Sequence, residues 1–336
     1  MKNRIEWIDN CRGMAIIMVI LGHILMRTSI YNIEYLGVYA IYSFHMPLFF
    51  VIAGMTLNIK GTFREWTLKK AKALLIPAII FSAMALVFNF LFIVFTENID
   101  NAFKYLEGLC SLKSLIYTIF LTNKSAFSGY WFFPVLFSAY IIFFWIEKID
   151  SRIIRLSIIV FLIIANRIIT FFGIALPIGG GEAFLAIPFL VLGKNISKIK
   201  KEKNAFICLI IWILGFVLWN RQGYLVADFF NSNIYNIFLF FLMAMSASTA
   251  IVLGMKGIYE RFPNIFGWLG KLGKQSMYIY GIHYFFLEIW IKIVQRFVIT
   301  SSFFKIFLDI TGSMLIVGTC YILIWGCKCM KLKTVV

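Results

Sequence analysis

Apolar positions in this chain come in ten blocks of 16 to 23 residues, parted by stretches that carry most of the charge. The blocks cover residues 13–30, 38–57, 73–95, 131–147, 154–172, 174–193, 205–220, 235–254, 276–293 and 307–326. A helix rises ~1.5 Å per residue, so a block of about twenty crosses the ~30 Å hydrocarbon core of a bilayer. Backbone polar groups cannot stay open in lipid, which leaves helices or a closed barrel. Dense Leu, Ile and Phe without alternation of apolar and polar positions predicts helices. The sixth block holds Pro177, Pro188 and Gly179-Gly-Gly-Glu182, which predicts a broken helix or a re-entrant segment lined by protein. Residues 112–121 are too short to span and predict a helix lying at the interface or covering the mouth of a pocket.

The expected fold class is an all-alpha polytopic integral membrane protein with about ten transmembrane helices and both termini cytoplasmic. The orientation comes from Lys and Arg, which gather on the cytoplasmic side of membrane proteins. Lys60, Arg64, Lys69, Lys70 and Lys72 fall between the second and third blocks, and Lys194, Lys198, Lys200, Lys201 and Lys203 between the sixth and seventh. Lys256, Arg261, Lys271 and Lys274 fall between the eighth and ninth. With both termini inside, 23 of the 32 basic residues lie on one side and 9 on the other. The stretch 294–306 resists, because Arg296, Lys305 and the neighbouring Lys292 come out on the sparse side. The whole of 1–336 reads as a single membrane-embedded domain with no separate soluble domain.

Composition sharpens this picture. The chain is 62% hydrophobic and 14% charged, with a mean hydropathy of +0.90. Soluble domains carry about a quarter of their residues as charged ones. The net charge of +17 invites a nucleic-acid partner. The basic residues are instead spread over short loops with no recognition motif, so no nucleic acid is expected. Six cysteines are too scattered for a disulfide framework, and no metal is expected. Cys327 and Cys329 beside Lys328 and Lys331 read as free thiols, with lipidation or metal binding as the other readings. The first residues do not form a cleavable signal, since no small-residue cleavage site follows the first apolar block.

Ionisable groups inside apolar blocks point to function. The three histidines, His23, His45 and His283, all sit in or at the edges of blocks. Arg12 opens the first block, and His23 lies eleven residues, about 16 Å, further along it. The second block runs the other way and places His45 about 12 Å below its outer end. Two histidines at similar depth on adjacent antiparallel helices can serve as a general base, which imidazole suits with an unperturbed pKa near 6.5. They can equally be satisfied side chains bridging two helices. A guanidinium at the cytoplasmic face suits phosphate or pyrophosphate, and Asp9 is placed to cap the first helix. The same two residues can be no more than a cap and a topology anchor.

Four stretches in order carry a resemblance to a known family. They are Ile8-Asp-Asn-Cys-Arg12 through Gly22-His23, Tyr42-Ser-Phe-His45-Met-Pro47 through Gly54, Tyr130-Trp131-Phe-Phe-Pro134, and Gly270-Lys-Leu-Gly-Lys-Gln-Ser276 through Tyr280 to His283. Together they resemble the membrane acyltransferase-3 family of bacterial surface-polysaccharide O-acetyltransferases, and most of all its branch related to fucose 4-O-acetylases. Asn10-Cys11 departs from the Gly-Leu common there, and no esterase-like domain is present, so transfer proceeds without one or is completed by a separate protein.

The resemblance implies that acetyl-CoA is the acyl donor, with no metal cofactor. It implies a hydroxyl of a cell-surface polysaccharide or its lipid-linked glycan precursor as acceptor. Arg12 would bind the CoA phosphates and His23 would activate the acceptor, with His45 positioning acceptor or thioester. Asp9, Tyr130, Trp131, Glu182, Ser276, Tyr280 and His283 are the further substrate-binding candidates. Tyr130 and Trp131 also suit interfacial anchors, Ser276, Tyr280 and His283 a structural network, and Glu182 a loop tip. The basic stretches 60–72 and 194–203 would hold topology against anionic membrane lipids and draw the polyanionic donor toward Arg12. The expected home is the bacterial inner (cytoplasmic) membrane, as a multi-pass protein. The competing readings are a transporter or flippase for a lipid-linked sugar, which predicts inverted repeats that are not seen, and an acyltransferase acting on a lipid, antibiotic, peptide or osmolyte. Oligomeric state is not legible in the sequence.

Overall fold

A computed structural model describes residues 5–28, 32–110, 128–196, 204–297, 299 and 301–329. Among these the regular elements are helices with no strand. In chain order they are α1 (Glu6–Thr28), α2 (Asn32–Tyr42), α3 (His45–Thr56), α4 (Phe63–Thr96), α5 (Ile99–Cys110), α6 (Phe132–Ile146) and α7 (Arg152–Phe171). They continue with α8 (Gly180–Ile196), α9 (Asn204–Arg221), α10 (Ile237–Arg261), α11 (Gly267–Lys274), α12 (Ser276–Val294) and α13 (Ser302–Cys329). Nine segments of the described residues are long and apolar enough to cross a membrane, and the shorter α6, of 15 residues, occupies the fourth expected block. The protein is an all-alpha polytopic membrane protein.

The described residues fall into two compact units. The first draws on 1–57, 189–228 and 234–335, and the second on 58–188 and 229–233. In the first unit α1 is the central helix, packing against α2, α3, α10, α11, α12 and α13. Its buried face includes Ile16, Ile20, Ile24 and, among polar residues, Asp9 and Asn10. Association in lipid rests on close packing and polar contacts rather than on a hydrophobic driving force, and small residues let backbones approach. Gly13 and Gly273 do this between α1 and α11: a Cβ at 13 would run into the Leu269 carbonyl, and one at 273 into that of Asp9. Gly54 on α3 and Gly193 on α8 meet the Leu190 and Val51 carbonyls in the same way.

The second block is one span by length but not one helix. It breaks at Ser43-Phe44, between α2 and α3. Pro47 explains the break, because it has no N–H for the Ser43 carbonyl and its ring crowds that carbonyl. The break leaves His45 as the first residue of α3.

In the second unit α4 packs against α5 and α6. It starts ten residues before the expected block, since Thr62 and Glu65 form a reciprocal capping box. The stretch 60–72 is therefore mostly helix rather than loop. Lys70 lies 4.4 Å from the Tyr140 ring centroid and Lys148 4.7 Å from that of Phe144, both cation–π contacts. The sixth block breaks at its entry. Ile178 and Gly179 have φ of 56° and 64°, and α8 then runs unbroken through Pro188. The interfacial helix expected at 112–121 and the lysines at 198, 200, 201 and 203 lie outside the described residues. Upstream of the former, α5 is a helix of 12 residues against α4, where Asn89 Nδ2 donates to Tyr105 Oη at 3.1 Å.

Candidate active site

The three histidines come together in the first unit. His23 reaches inward from α1, and His283 from α12 lies over it with the ring centroids 5.7 Å apart and the planes 15° from parallel. Tyr284 touches both rings, at 5.4 Å from His23 and 4.6 Å from His283. On the other side the Tyr42 hydroxyl lies 3.5 Å from His23 Nδ1, and the Tyr42 ring meets His45 edge-on at 4.7 Å. Tyr42 at the end of α2 thus joins His23 to His45 across the helix break. The Tyr280 ring packs 5.6 Å from His283.

Backbone carbonyls fix the protons on two of these rings. His45 Nδ1 donates to the Ile41 carbonyl at 2.9 Å, and His283 Nδ1 to the Tyr280 carbonyl at 2.7 Å. A carbonyl only accepts, so each ring carries its hydrogen on Nδ1 and presents Nε2 as an acceptor. In His283 that Nε2 is buried and has no hydrogen-bond partner among the described residues. His45 and His283 are both buried, at 4% and 0% exposure, whereas His23 keeps part of its surface open. Of the three, His23 is the one that is part-exposed.

Arg12 sits about 16 Å along α1 from His23. Its Nη1 donates to Asp9 Oδ1 at 2.7 Å and its Nη2 to Thr56 Oγ1 at 3.2 Å. Asp9 is within the first turns of α1, and its fully buried carboxylate holds the guanidinium. Two of the five guanidinium hydrogens are used, and the side chain is 25% exposed, so it retains donors for an anion. Beside it α11 packs on α1 and carries Lys271 and Lys274, both exposed, in its last turn. Lys328 Nζ reaches Gln275 Oε1 at 2.8 Å just beyond. This end of α1 is basic, and a polyanion fits it.

Ser276 opens α12 two turns from His283, about 10 Å toward the α11 end, and belongs to that basic end rather than to the histidine cluster. Tyr130, Trp131 and Glu182 belong to the second unit. The Tyr130 ring is buried against Phe81 at 6.0 Å. Trp131 stacks on Phe229 and Phe230 at 6.0 and 5.3 Å. Glu182 is in the first turn of α8, not at a loop tip. Among the described residues no three His, Cys, Asp or Glu side chains form a group that could hold a metal ion.

Four features of the site go beyond the sequence reading. Tyr284 was signalled only by being next to His283. Tyr42 stood in a quoted motif with no role attached. Arg27 and Glu288, one turn beyond His23 and Tyr284, form a two-pronged ion pair whose Nη2–Oε2 arm is 2.9 Å. Asn10, a departure from the family pattern, places its Oδ1 where a Cβ at Gly270 would stand.

The family model of the acyltransferase domain (acyltransferase 3) matches residues 5–325. No curated protein matches the chain, and no solved structure matches it.

Proposed function

This chain belongs to the acyltransferase-3 family and is a membrane acyltransferase, and on that premise we propose that it moves an acetyl group from acetyl-CoA to a hydroxyl of a bacterial surface polysaccharide or its lipid-linked precursor. The observation that carries the reading is the layout of α1. An anion-ready Arg12 stands at one end, and an accessible histidine, framed by two others, stands eleven residues deeper. The Arg12 end, with Lys271 and Lys274, holds the CoA phosphates, and the thioester extends toward His23.

With Nδ1 donating to the Tyr42 oxygen, His23 offers Nε2 as the general base. The acceptor hydroxyl gives its proton to that nitrogen as its oxygen bonds to the thioester carbonyl carbon. The carbon–sulfur bond then breaks, and the CoA thiolate leaves, taking the proton back from the imidazole. His283 stacks on His23 and His45 backs Tyr42, so both position the base. The phosphate-bearing donor comes from the cytoplasm, which puts Arg12 and both termini on that side of a bacterial inner membrane. The resemblance to fucose 4-O-acetylases supports a sugar acceptor.

The test is base-labile O-acetyl on the surface polysaccharide of a host strain deleted for this protein and complemented with wild type or His23→Ala at matched membrane levels. Acetyl restored by the wild type alone supports the reading. Polysaccharide acetylation that is the same in all strains contradicts it.

A further inference from the structure

Arg27 and Glu288 lie outside the machinery assigned above, on the far side of His23 from Arg12. Arg27 is one turn beyond His23 on α1 and Glu288 one turn beyond Tyr284 on α12, about 6 Å further out in each case. His23 and Tyr284 are in ring contact, so the ion pair sits directly over the cluster on the same two helices. The carboxylate and guanidinium meet by two prongs, Nη1 to Oε1 and Nη2 to Oε2. Both side chains remain open, at 40% and 26% exposure.

Charged groups in such a position in a membrane protein face water or a polar ligand rather than lipid. A second ion pair lies nearby, and the part-exposed Asp228 acts on Tyr42 electrostatically. Lys305 and Asp309 on α13 form a buried pair, and Thr28 Oγ1 donates to Asp309 Oδ1 at 3.2 Å. The two ion pairs bordering the cluster therefore carry no net charge. Lys292, one turn further out on α12, and Arg296 are exposed and stand beyond them. Paired charges that present fixed donors and acceptors beside a part-exposed base suit adjacent hydroxyl groups, which both donate and accept. It suits a carboxylate or phosphate less well, because the Glu288 carboxylate held on Arg27 repels an anion.

We propose that Arg27 and Glu288 are the acceptor clamp of this enzyme, gripping a neutral sugar by neighbouring hydroxyls one helical turn outside His23. The proposal rests on the acetyl-transfer reading and adds to it the residues that select the acceptor and the class they select.

The experiment uses the full chain in proteoliposomes with acetyl-CoA and two matched sets of probes, neutral methyl hexosides and the methyl uronosides that bear a carboxylate at C6. The wild type is expected to prefer the hexosides. Glu288→Gln uncovers the Arg27 charge, so its KM for hexosides is expected to rise about tenfold while uronosides gain. Arg27→Gln leaves Glu288 alone and is expected to disfavour uronosides further. Both variants keep the wild-type KM for acetyl-CoA. Glu288→Ala, which also uncovers the Arg27 charge, is the fallback if Glu288→Gln does not fold and is expected to shift the preference toward uronosides in the same way.

The opposed shifts are what a merely structural tie would not produce. Equal losses on both probe sets, an unchanged acceptor KM, or a wild type that prefers uronosides would overturn the clamp while leaving acetyl transfer standing. A folded wild type that acetylates neither set overturns the sugar reading itself, and the clamp with it.

Discussion

His23 and His283, 260 residues apart in sequence, stack face to face at 5.7 Å inside the first unit. His283 donates from Nδ1 to the Tyr280 carbonyl and leaves Nε2 buried without a hydrogen-bond partner among the described residues, while His23 is part-exposed. One ring is held in place by its own helix; the other is part-exposed, as the proposed base has to be. Replacing them should separate the two roles. His23→Ala is expected to lower kcat by about 10²–10⁴, the usual worth of a general base. His283→Phe, which preserves a stacking ring, is expected to cost far less, about tenfold. Single-turnover rates on proteins with matched thermal melts check this, and equal losses would remove the distinction.

Tyr42 contributes one hydrogen bond to His23. Loss of one such bond costs about 1 kcal/mol, a factor of roughly five. Tyr42→Phe is therefore expected to lower kcat about fivefold with little change in the KM for acetyl-CoA.

At the other end of α1, Arg12→Lys keeps the charge but loses the fork that engages Asp9 and Thr56 together. Its KM for acetyl-CoA is expected to rise about tenfold, with KM for the acceptor unchanged. Dephospho-CoA thioesters should narrow the gap between wild type and variant if phosphate is what Arg12 holds.

Much of this was open to sequence reading, for identifiable reasons. Apolar block length marks a span whatever its neighbours are, so nine spanning segments among the described residues, together with α6, fall at the ten expected blocks. Helix rise alone predicted that His23 and His45 share a depth, and Tyr42 now links them. What depends on tertiary contact was not legible. Only the structure shows the Tyr130 ring against Phe81, because an aromatic ring looks the same in sequence whether it meets a ligand or a neighbour. Lys305 stood out as a cation on the sparse side of the membrane. It is buried against Asp309, four residues on, and so is no loop charge at all. Within the Gly270-to-His283 signature, the structure alone shows that Gly270 and Gly273 serve the approach of α11 to α1.

That approach and that ion pair make stability predictions. Gly273→Ala drives a methyl into the Asp9 carbonyl, a backbone atom that cannot swing aside. It is expected to destabilise the protein by about 1–3 kcal/mol, read as a lower melting temperature in detergent.

Asp309→Asn strands a buried ammonium and is expected to cost about 3–5 kcal/mol. Changing both partners, Lys305→Met with Asp309→Leu, is expected to recover most of that loss. A double variant no better than the single one would show that the pair does more than neutralise itself.

The most direct measurement of the central claim is transfer of radiolabelled acetyl from acetyl-CoA to a glycan acceptor extracted from the host, by purified protein in proteoliposomes, wild type against His23→Ala of equal thermal stability. The account predicts label in base-labile ester on the glycan with the wild type and none above background with the variant. Equal labelling by both would contradict His23 as the base, and no labelling of any glycan by the folded wild type would contradict acetyl transfer to sugar.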